Sequence, residues 1–435
     1  MKKRSHLLGI PGQTSHEFHE PRGAVSEGSG APPLAIERWA LRKLLSLLGD
    51  PPIHVILWDG EVISAPGVDS VEKLIIRDRA TLWRLVINPD LYFGDAYSQG
   101  RVEVEGDLVA FLETLYSCVS SERLSSPLFR LLDRMRNRAS SGAHYRNRED
   151  IRHHYDIGND FYRLWLDENL VYTCAYYPTP SLSIEQAQVA KMEYICRKLR
   201  LRKGDTVVEA GGGWGSLARH MARHYGVTVK SYNISHEQIV YSTERAAREG
   251  LDSRIQYIEA DYNDIAGRYD VFVSVGMLEH VRPENYRRLG SVIDRCLKEN
   301  GRGLIHTIGR NRPRNMNAWI ERRIFPGACP PSLSQMTEIF EPYSFSVLDI
   351  ENLRLHYAKT LEQWLGRFDA HAEKMNENFD ETFIRAWRLY LAGSIAAFTT
   401  GELQLFQVVF SRPRNNDIPW SRSYLYEGVA STQRI

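Results

Sequence analysis

Apolar and polar positions change period twice along this chain, and the changes divide it. From Ala35 the spacing of Ile36, Trp39, Leu41, Leu44, Leu45 and Leu48 approximates a helical stripe. Apolar runs at His54–Trp58 and Lys73–Ile76, split by a segment with Gly and Pro, predict two strands. A helix is expected over Asp107–Tyr116, which makes residues 35–120 a small α+β module. A regular alternation starts later, with a helix over Ile184–Leu199 and a strand over Thr206–Glu209. After a glycine turn come helix Ser216–His224, strand Thr228–Tyr232, helix His236–Glu249 and strand Ile255–Glu259. Strand Val271–Val275, helix Glu284–Leu297 and strand Gly303–Thr307 complete the series. Strands that alternate with helices predict an α/β fold, a doubly wound and mainly parallel sheet. Leu403–Phe410 alternates in a way that suits a last, antiparallel strand.

Length makes two domains the sensible expectation for 435 residues. A formal net charge of +1 gives no global attraction to nucleic acid. The five cysteines form no C-x-x-C pair, and an odd number argues against a disulfide framework. With no apolar stretch of signal-peptide or membrane-spanning length, a cytoplasmic protein is expected. Residues 1–34, rich in Gly, Pro, Ser and His, are expected to be a disordered arm. Residues 121–150 carry Arg130, Arg134, Arg136, Arg138, Arg146 and Arg148 among Leu128, Phe129, Leu131, Leu132 and Met135. That segment is either a solvated basic linker or an amphipathic stretch that rests on anionic headgroups.

The turn after the first strand of the sheet reads Glu209-Ala210-Gly211-Gly212-Gly213-Trp214-Gly215. Glycines let a backbone approach a ligand closely, and open α/β sheets bind ligands at the carboxyl ends of their strands. The spacing departs from the dinucleotide Gly-x-Gly-x-x-Gly. No acid follows the second strand either, where the chain reads Ser231-Tyr232-Asn233-Ile234-Ser235. An acid-first turn of this kind suits the amino-acid end of S-adenosylmethionine. Glu279 follows the buried-strand run Val271-Phe272-Val273-Ser274-Val275, a position suited to function or to a helix-start carboxylate paired with Arg. His306, ending Gly303-Leu304-Ile305, is an anion ligand or a satisfied core histidine. No His/Cys/Asp cluster has metal-ligand spacing, so no metal is expected.

Read outward from the turn, the chain resembles the cyclopropane-fatty-acid synthases and the related mycolic-acid methyltransferases. The resemblance runs through His153-His154-Tyr155-Asp156, Tyr172-Thr173-Cys174-Ala175-Tyr176, the glycine turn and Ser274-Val275-Gly276-Met277-Leu278-Glu279-His280. It continues through His306-Thr307-Ile308-Gly309, Ile324-Phe325-Pro326-Gly327, His356-Tyr357 and Gln404-Leu405-Phe406-Gln407-Val408-Val409-Phe410, so it covers residues 151–410. Phe93-Gly94-Asp95-Ala96-Tyr97 resembles part of a smaller N-terminal module found in many of these enzymes. Departures are Glu209 for the usual Asp, Gly212 for the usual Cys, Asn233 where Thr is common, and Cys329-Pro330 within a Gly-Glu-Leu-Pro stretch.

The resemblance implies a Rossmann-like class I methyltransferase over 151–435 that binds S-adenosylmethionine. The sulfonium methyl is attacked by a cis double bond of a phospholipid acyl chain. Loss of a proton from that methyl then closes a cyclopropane ring. A bound bicarbonate serves as base, at positions matching Cys174, Glu279, His306, Ile308 and Tyr357, with Cys174 and Ile308 acting through their backbones. A cysteine nucleophile is not needed. Cofactor contacts carry over to Tyr172, Thr173, Glu209, Gly211 and Gly213, to Asn233, Ile234 and Gln238 near the ribose, and to Asp261 and Tyr262 near the adenine. Surface packing is the other reading of Tyr262. A membrane phospholipid as partner, peripheral contact with the inner membrane face and a homodimer complete the expectations. A methyl- or methylene-branched lipid, a methylated small metabolite, and a non-catalytic binding protein remain as alternatives.

Overall fold

The computed structural model describes residues 8–10, 31–64, 72–118 and 157–426. Most of the expected arm, the basic run 121–150 and the His153–Asp156 motif lie outside these residues.

Backbone contacts divide the chain into two compact units. The first holds a four-stranded sheet of β1 (His54–Ile56), β2 (Val62–Ser64), β3 (Lys73–Ile76) and β4 (Val102–Glu105), in the order β2-β1-β3-β4. Helix Ala35–Leu48 forms as expected, but its stripe is rotated: Glu37, Ala40, Leu41 and Leu45 are buried, whereas Ile36 and Trp39 are exposed. The cause is Glu37. Its carboxylate caps the helix by accepting the Leu34 N–H at 2.8 Å and pairs with Arg79 at 2.6 Å. Helices Arg79–Ile87 and Pro89–Ser98, with β2 and β4, were not foreseen.

Met316–Pro326 and Trp364–Glu402 belong to this first unit, so the span expected as one methyltransferase domain contributes to both. Their attachment explains the Phe93–Tyr97 motif. A Cβ on Gly94 would lie 2.3 Å from the Trp319 indole, so only glycine fits. Asp95 takes a forked pair of bonds from Arg323 at 2.8 and 3.0 Å, and the Tyr97 carbonyl accepts from Arg385 at 2.8 Å.

The second unit is built on a seven-stranded sheet of β5 (Thr206–Ala210), β6 (Thr228–Asn233), β7 (Ile255–Glu259), β8 (Tyr269–Val275), β9 (Leu297–Gly309), β10 (Ser346–Asn352) and β11 (Gln404–Ser411). The order is β10-β11-β9-β8-β5-β6-β7; β5 to β9 are mutually parallel, β11 runs antiparallel to β9, and β10 runs antiparallel to β11. Both faces of the sheet's centre are covered, which is why β5, β8 and β11 are buried along most of their length. Val208, Phe272 and Phe410 join Tyr286, Ile293 and Ile339 on one face. Val207, Val271 and Leu304 join Ile195 and Met221 on the other. No helix among the described residues is long and apolar enough to cross a membrane.

Candidate active site at the carboxyl edge of the sheet

The glycine turn leaves β5 and enters helix Ser216–Tyr225. Gly211, Gly213 and Gly215 have φ of +87°, +53° and +74°, the left-handed region that glycine adopts without strain. A Cβ on Gly211 would meet Met277 at 2.9 Å, and one on Gly215 would meet the Tyr257 hydroxyl at 2.4 Å. Beside Gly213 there is open space. Asn233, at the end of β6, donates to the Gly213 carbonyl at 3.2 Å and to Gln238 Oε1 at 2.8 Å. Three expected cofactor positions therefore come together. Behind them Glu209 is 3% exposed, and burial raises its carboxyl above the ordinary range. Its Oε2 accepts the Ser231 hydroxyl at 2.6 Å.

This turn fits the methionine and ribose end of S-adenosylmethionine: open backbone at Gly213, an acid behind it, and polar Asn233 and Gln238 beside it. Ile234 is half-buried next to Asn233. Asp261 caps the short turn after β7 by accepting the Asn263 N–H at 2.9 Å. Tyr262, half-buried, packs against the core, and burial raises its phenol.

A second group gathers where β8 and β9 end, Val275 standing opposite His306. Glu279 lies on the short turn Leu278–His280, and its Oε1 accepts the Ile308 N–H at 2.7 Å. Oε2 is buried without a hydrogen-bond partner among the described residues. Burial raises this carboxyl to about 7, against the lowering pull of the Ile308 N–H, its own backbone and the neighbouring Thr307 hydroxyl. Glu279 forms no ion pair with an arginine among the described residues, so the helix-start pairing does not apply. The N–H of Ile308, expected to serve an anion, holds the Glu279 carboxylate here.

His306 is 2% exposed and stands opposite Gln407 across the β9–β11 pair. Gln407 Nε2 donates to His306 Nδ1 at 3.0 Å, which leaves the ring proton on Nε2. Burial and the nearby Lys191 and Lys198 push the imidazole well below its ordinary value, so it is neutral. Its Nε2 has no partner among the described residues, unlike a satisfied core histidine.

The segments that carry Cys174 and Tyr357 are joined by a hydrogen bond from the Ala175 backbone to the Thr360 side chain. The Leu353 N–H donates to the Leu405 carbonyl at 2.8 Å, and Leu405 is registered with Ile308. Tyr357 lies one turn further along helix Arg354–Ala370 and is buried. From the next turn Thr360 accepts the Ala175 N–H at 3.0 Å, which ties down the Tyr172–Ala175 segment. The fully buried Cys174 thiol donates to the Ala175 carbonyl at 3.1 Å, and burial keeps it protonated. Tyr172 packs its ring 5.5 Å from Tyr162 and 5.2 Å from Trp165. The side chain of Thr173 approaches Gly276, where an added Cβ would lie 2.8 Å from its methyl.

Sequence reasoning missed Ser231, Gln407, Gln188 and Lys191. A signal existed for the last two: they occupy buried positions on a helical stripe otherwise filled by Ile184, Ala187, Met192 and Ile195. Among the described residues no cluster of three His, Cys, Asp or Glu could hold a metal.

Comparison with known proteins agrees with this geometry. Residues 143–408 match the family model described as mycolic acid cyclopropane synthetase, and residues 40–125 match a domain of unknown function. A probable fatty acid methyltransferase of Pseudomonas putida is 34% identical over 86% of this chain and 96% of its own. The cyclopropane-fatty-acyl-phospholipid synthase of Escherichia coli K12 is 42% identical over 62% of this chain and 69% of its own. A crystal structure of a mycolic acid cyclopropane synthase complexed with SAH and CTAB is 28% identical, with a TM-score of 0.58. The match covers 61% of this chain and 98% of that one. With the acid-first glycine turn and the parallel sheet in place, the chain belongs to the mycolic acid cyclopropane synthetase family of S-adenosylmethionine-dependent methyltransferases.

Proposed function

We propose that this enzyme adds a methylene across cis double bonds in the acyl chains of membrane phospholipids, using bound bicarbonate as its base. The observation that carries the reading is two buried, unsatisfied atoms, an acceptor, Glu279 Oε2, on the turn after β8 and a donor, His306 Nε2–H, on β9. Buried polar atoms left without partners mark places where a ligand completes the bonding. Bicarbonate offers both complements, an O–H for the carboxylate and an oxygen for the imidazole.

S-adenosylmethionine supplies an electrophilic methyl when bound. The glycine turn, Asn233 and Gln238 orient it, and the Tyr172–Cys174 segment borders its reacting end. Glu279 and His306 hold the base where a proton leaves the transferred methyl. Tyr357 adds a hydroxyl for the anion and a ring face that steadies a nearby carbocation. The surrounding burial excludes water, which would otherwise trap the cation. Acyl chains are reached from the membrane surface, the enzyme sitting peripherally on its cytoplasmic face as a homodimer.

A second reading has support in the match to a probable fatty acid methyltransferase, which extends over 86% of this chain. In that reading the same electrophilic step ends with loss of a proton from a chain carbon beside the cation, which leaves an unsaturated, methyl-branched acyl chain.

The base is tested by turnover with labelled S-adenosylmethionine and unsaturated phospholipid vesicles in rigorously depleted and then replenished bicarbonate. Activity should fall on depletion and return on addition. Glu279→Gln should slow the chemical step by ~10²–10⁴-fold with cofactor affinity nearly intact. Full activity in depleted buffer with an unimpaired Glu279→Gln variant contradicts the mechanism.

A further inference from the structure

Bicarbonate and Glu279 make an electrostatically awkward pair. Once Glu279 ionises, above about 7, it and the anion repel, and His306 is neutral, so the offsetting positive charge has to come from elsewhere.

Lys191 is only 3% exposed, on helix Ile184–Lys198. Its Nζ donates to Thr173 Oγ1 at 2.8 Å, while Gln188, one turn earlier, donates to the Thr173 carbonyl at 2.8 Å. Two side chains of one helix face therefore fix a single residue of the Tyr172–Cys174 segment. The ammonium makes no ion pair among the described residues. Nearby acids are committed elsewhere: Asp167 accepts the N–H groups of Asn169 and Val171, and Glu209 accepts Ser231. A buried ammonium with one neutral partner retains donors that a buried charge ordinarily spends on an anion.

A chain of contacts leads from Thr173, which Lys191 holds, toward His306. Thr173 borders Gly276, and the Gly276 N–H donates to the His306 carbonyl at 2.9 Å. Burial lowers the Lys191 ammonium to about 8, and its positive charge acts on His306 and Cys174 as well as on Asp167 and Glu209.

We propose that Lys191, anchored by Thr173, is a further binding residue of the site: the counter-charge that holds a carboxylate-type oxyanion, namely the bicarbonate base. This rests on the bicarbonate reading above. The same chemistry occurs in the carboxylate of the cofactor's methionine moiety, and the experiment separates the two.

Three quantities are measured on the full chain: the bicarbonate concentration for half-maximal turnover, the affinity for S-adenosylhomocysteine by calorimetry, and the thermal midpoint. Lys191→Met should raise the bicarbonate requirement by at least ~10-fold and leave S-adenosylhomocysteine affinity within about twofold. An unchanged bicarbonate requirement in the folded variant overturns the proposal. Loss of S-adenosylhomocysteine affinity with an unchanged bicarbonate requirement overturns it too, and assigns the charge to the cofactor. Wild-type turnover that ignores bicarbonate removes the underlying reading and the inference together. Should Lys191→Met fail to fold, Lys191→Arg carries the test. Its larger, delocalised cation should shift the bicarbonate requirement by more than about threefold, and no shift overturns the proposal.

Discussion

Gly212 and Ser231 compete for one volume: a Cβ on Gly212 would lie 1.9 Å from Ser231 Oγ and 3.0 Å from Glu209 Oε2. Gly212 stands where the enzymes this chain resembles carry Cys, and Glu209 where they carry Asp. The two departures are physically linked. A glutamate, longer by one methylene, bends its carboxylate over the bare Cα of residue 212 and is held there by Ser231. Gly212→Cys should therefore displace Ser231 and lower S-adenosylhomocysteine affinity by about tenfold, as overpacking a buried site costs roughly 1–3 kcal/mol. Gly212→Cys with Ser231→Ala should recover part of that loss. Calorimetry on the two variants decides it, and additive losses would show that the positions are independent.

Gln407 fixes the tautomer of His306 by donating to Nδ1. Gln407→Glu replaces that donor with an acceptor, which draws the ring proton to Nδ1 and leaves Nε2 bare. Turnover should drop by ~10²-fold with S-adenosylhomocysteine affinity retained. Steady-state kinetics beside calorimetry checks this, and unchanged turnover would remove Nε2–H from the mechanism.

Glu279 also imprints itself on stability. Unfolded, its carboxyl ionises near the ordinary 4.5; folded, burial holds the proton to about 7. Across that window the unfolded chain has released a proton that the folded chain keeps. Stability therefore falls as pH rises through the window, and the loss is complete above it. Glu279→Gln should stabilise the protein at pH about 8 by on the order of 3 kcal/mol, and hardly at all at pH about 4. Thermal melts at both values test this, and a difference independent of pH contradicts it.

The arginine run from Arg130 to Arg148 is open to a direct test on vesicles. If it rests on headgroups, vesicle sedimentation should increase with anionic lipid and weaken with added salt. Equal sedimentation with neutral and anionic vesicles would leave the run a solvated linker.

How far the sequence could be read follows from burial. Strands β5 and β8 are covered on both faces, so apolar runs bounded by turns locate them within a few residues, whereas the polar stretch Lys298–Gly301 hid the first half of β9, which starts at Leu297 and not at Gly303. Edge strand β10 is half-exposed, and its Asp349 and Glu351 face Lys198, which hides the strand pattern. Helix Glu381–Thr399 is buried nearly all round and shows no one-sided stripe. On helix Ala35–Leu48 the apolar spacing misled because the inward position belongs to a capping, ion-paired Glu37. In the site, Glu279 and His306 were legible as polar residues ending buried runs. Lys191 left only the weaker signal of its place on the apolar stripe of helix Ile184–Lys198, because a lysine within a helix ordinarily reads as solvated.

Product formed from S-adenosylmethionine bearing a trideuterated methyl group tests the central claim most directly. Ring closure takes one hydrogen from the transferred methyl and a methyl branch takes none. After incubation with unsaturated phospholipid vesicles, mass spectrometry and proton spectra of the acyl chains should show CD₂ in a saturated three-membered ring. Retention of all three deuterons in a branched chain, or no label in the lipid, contradicts the account.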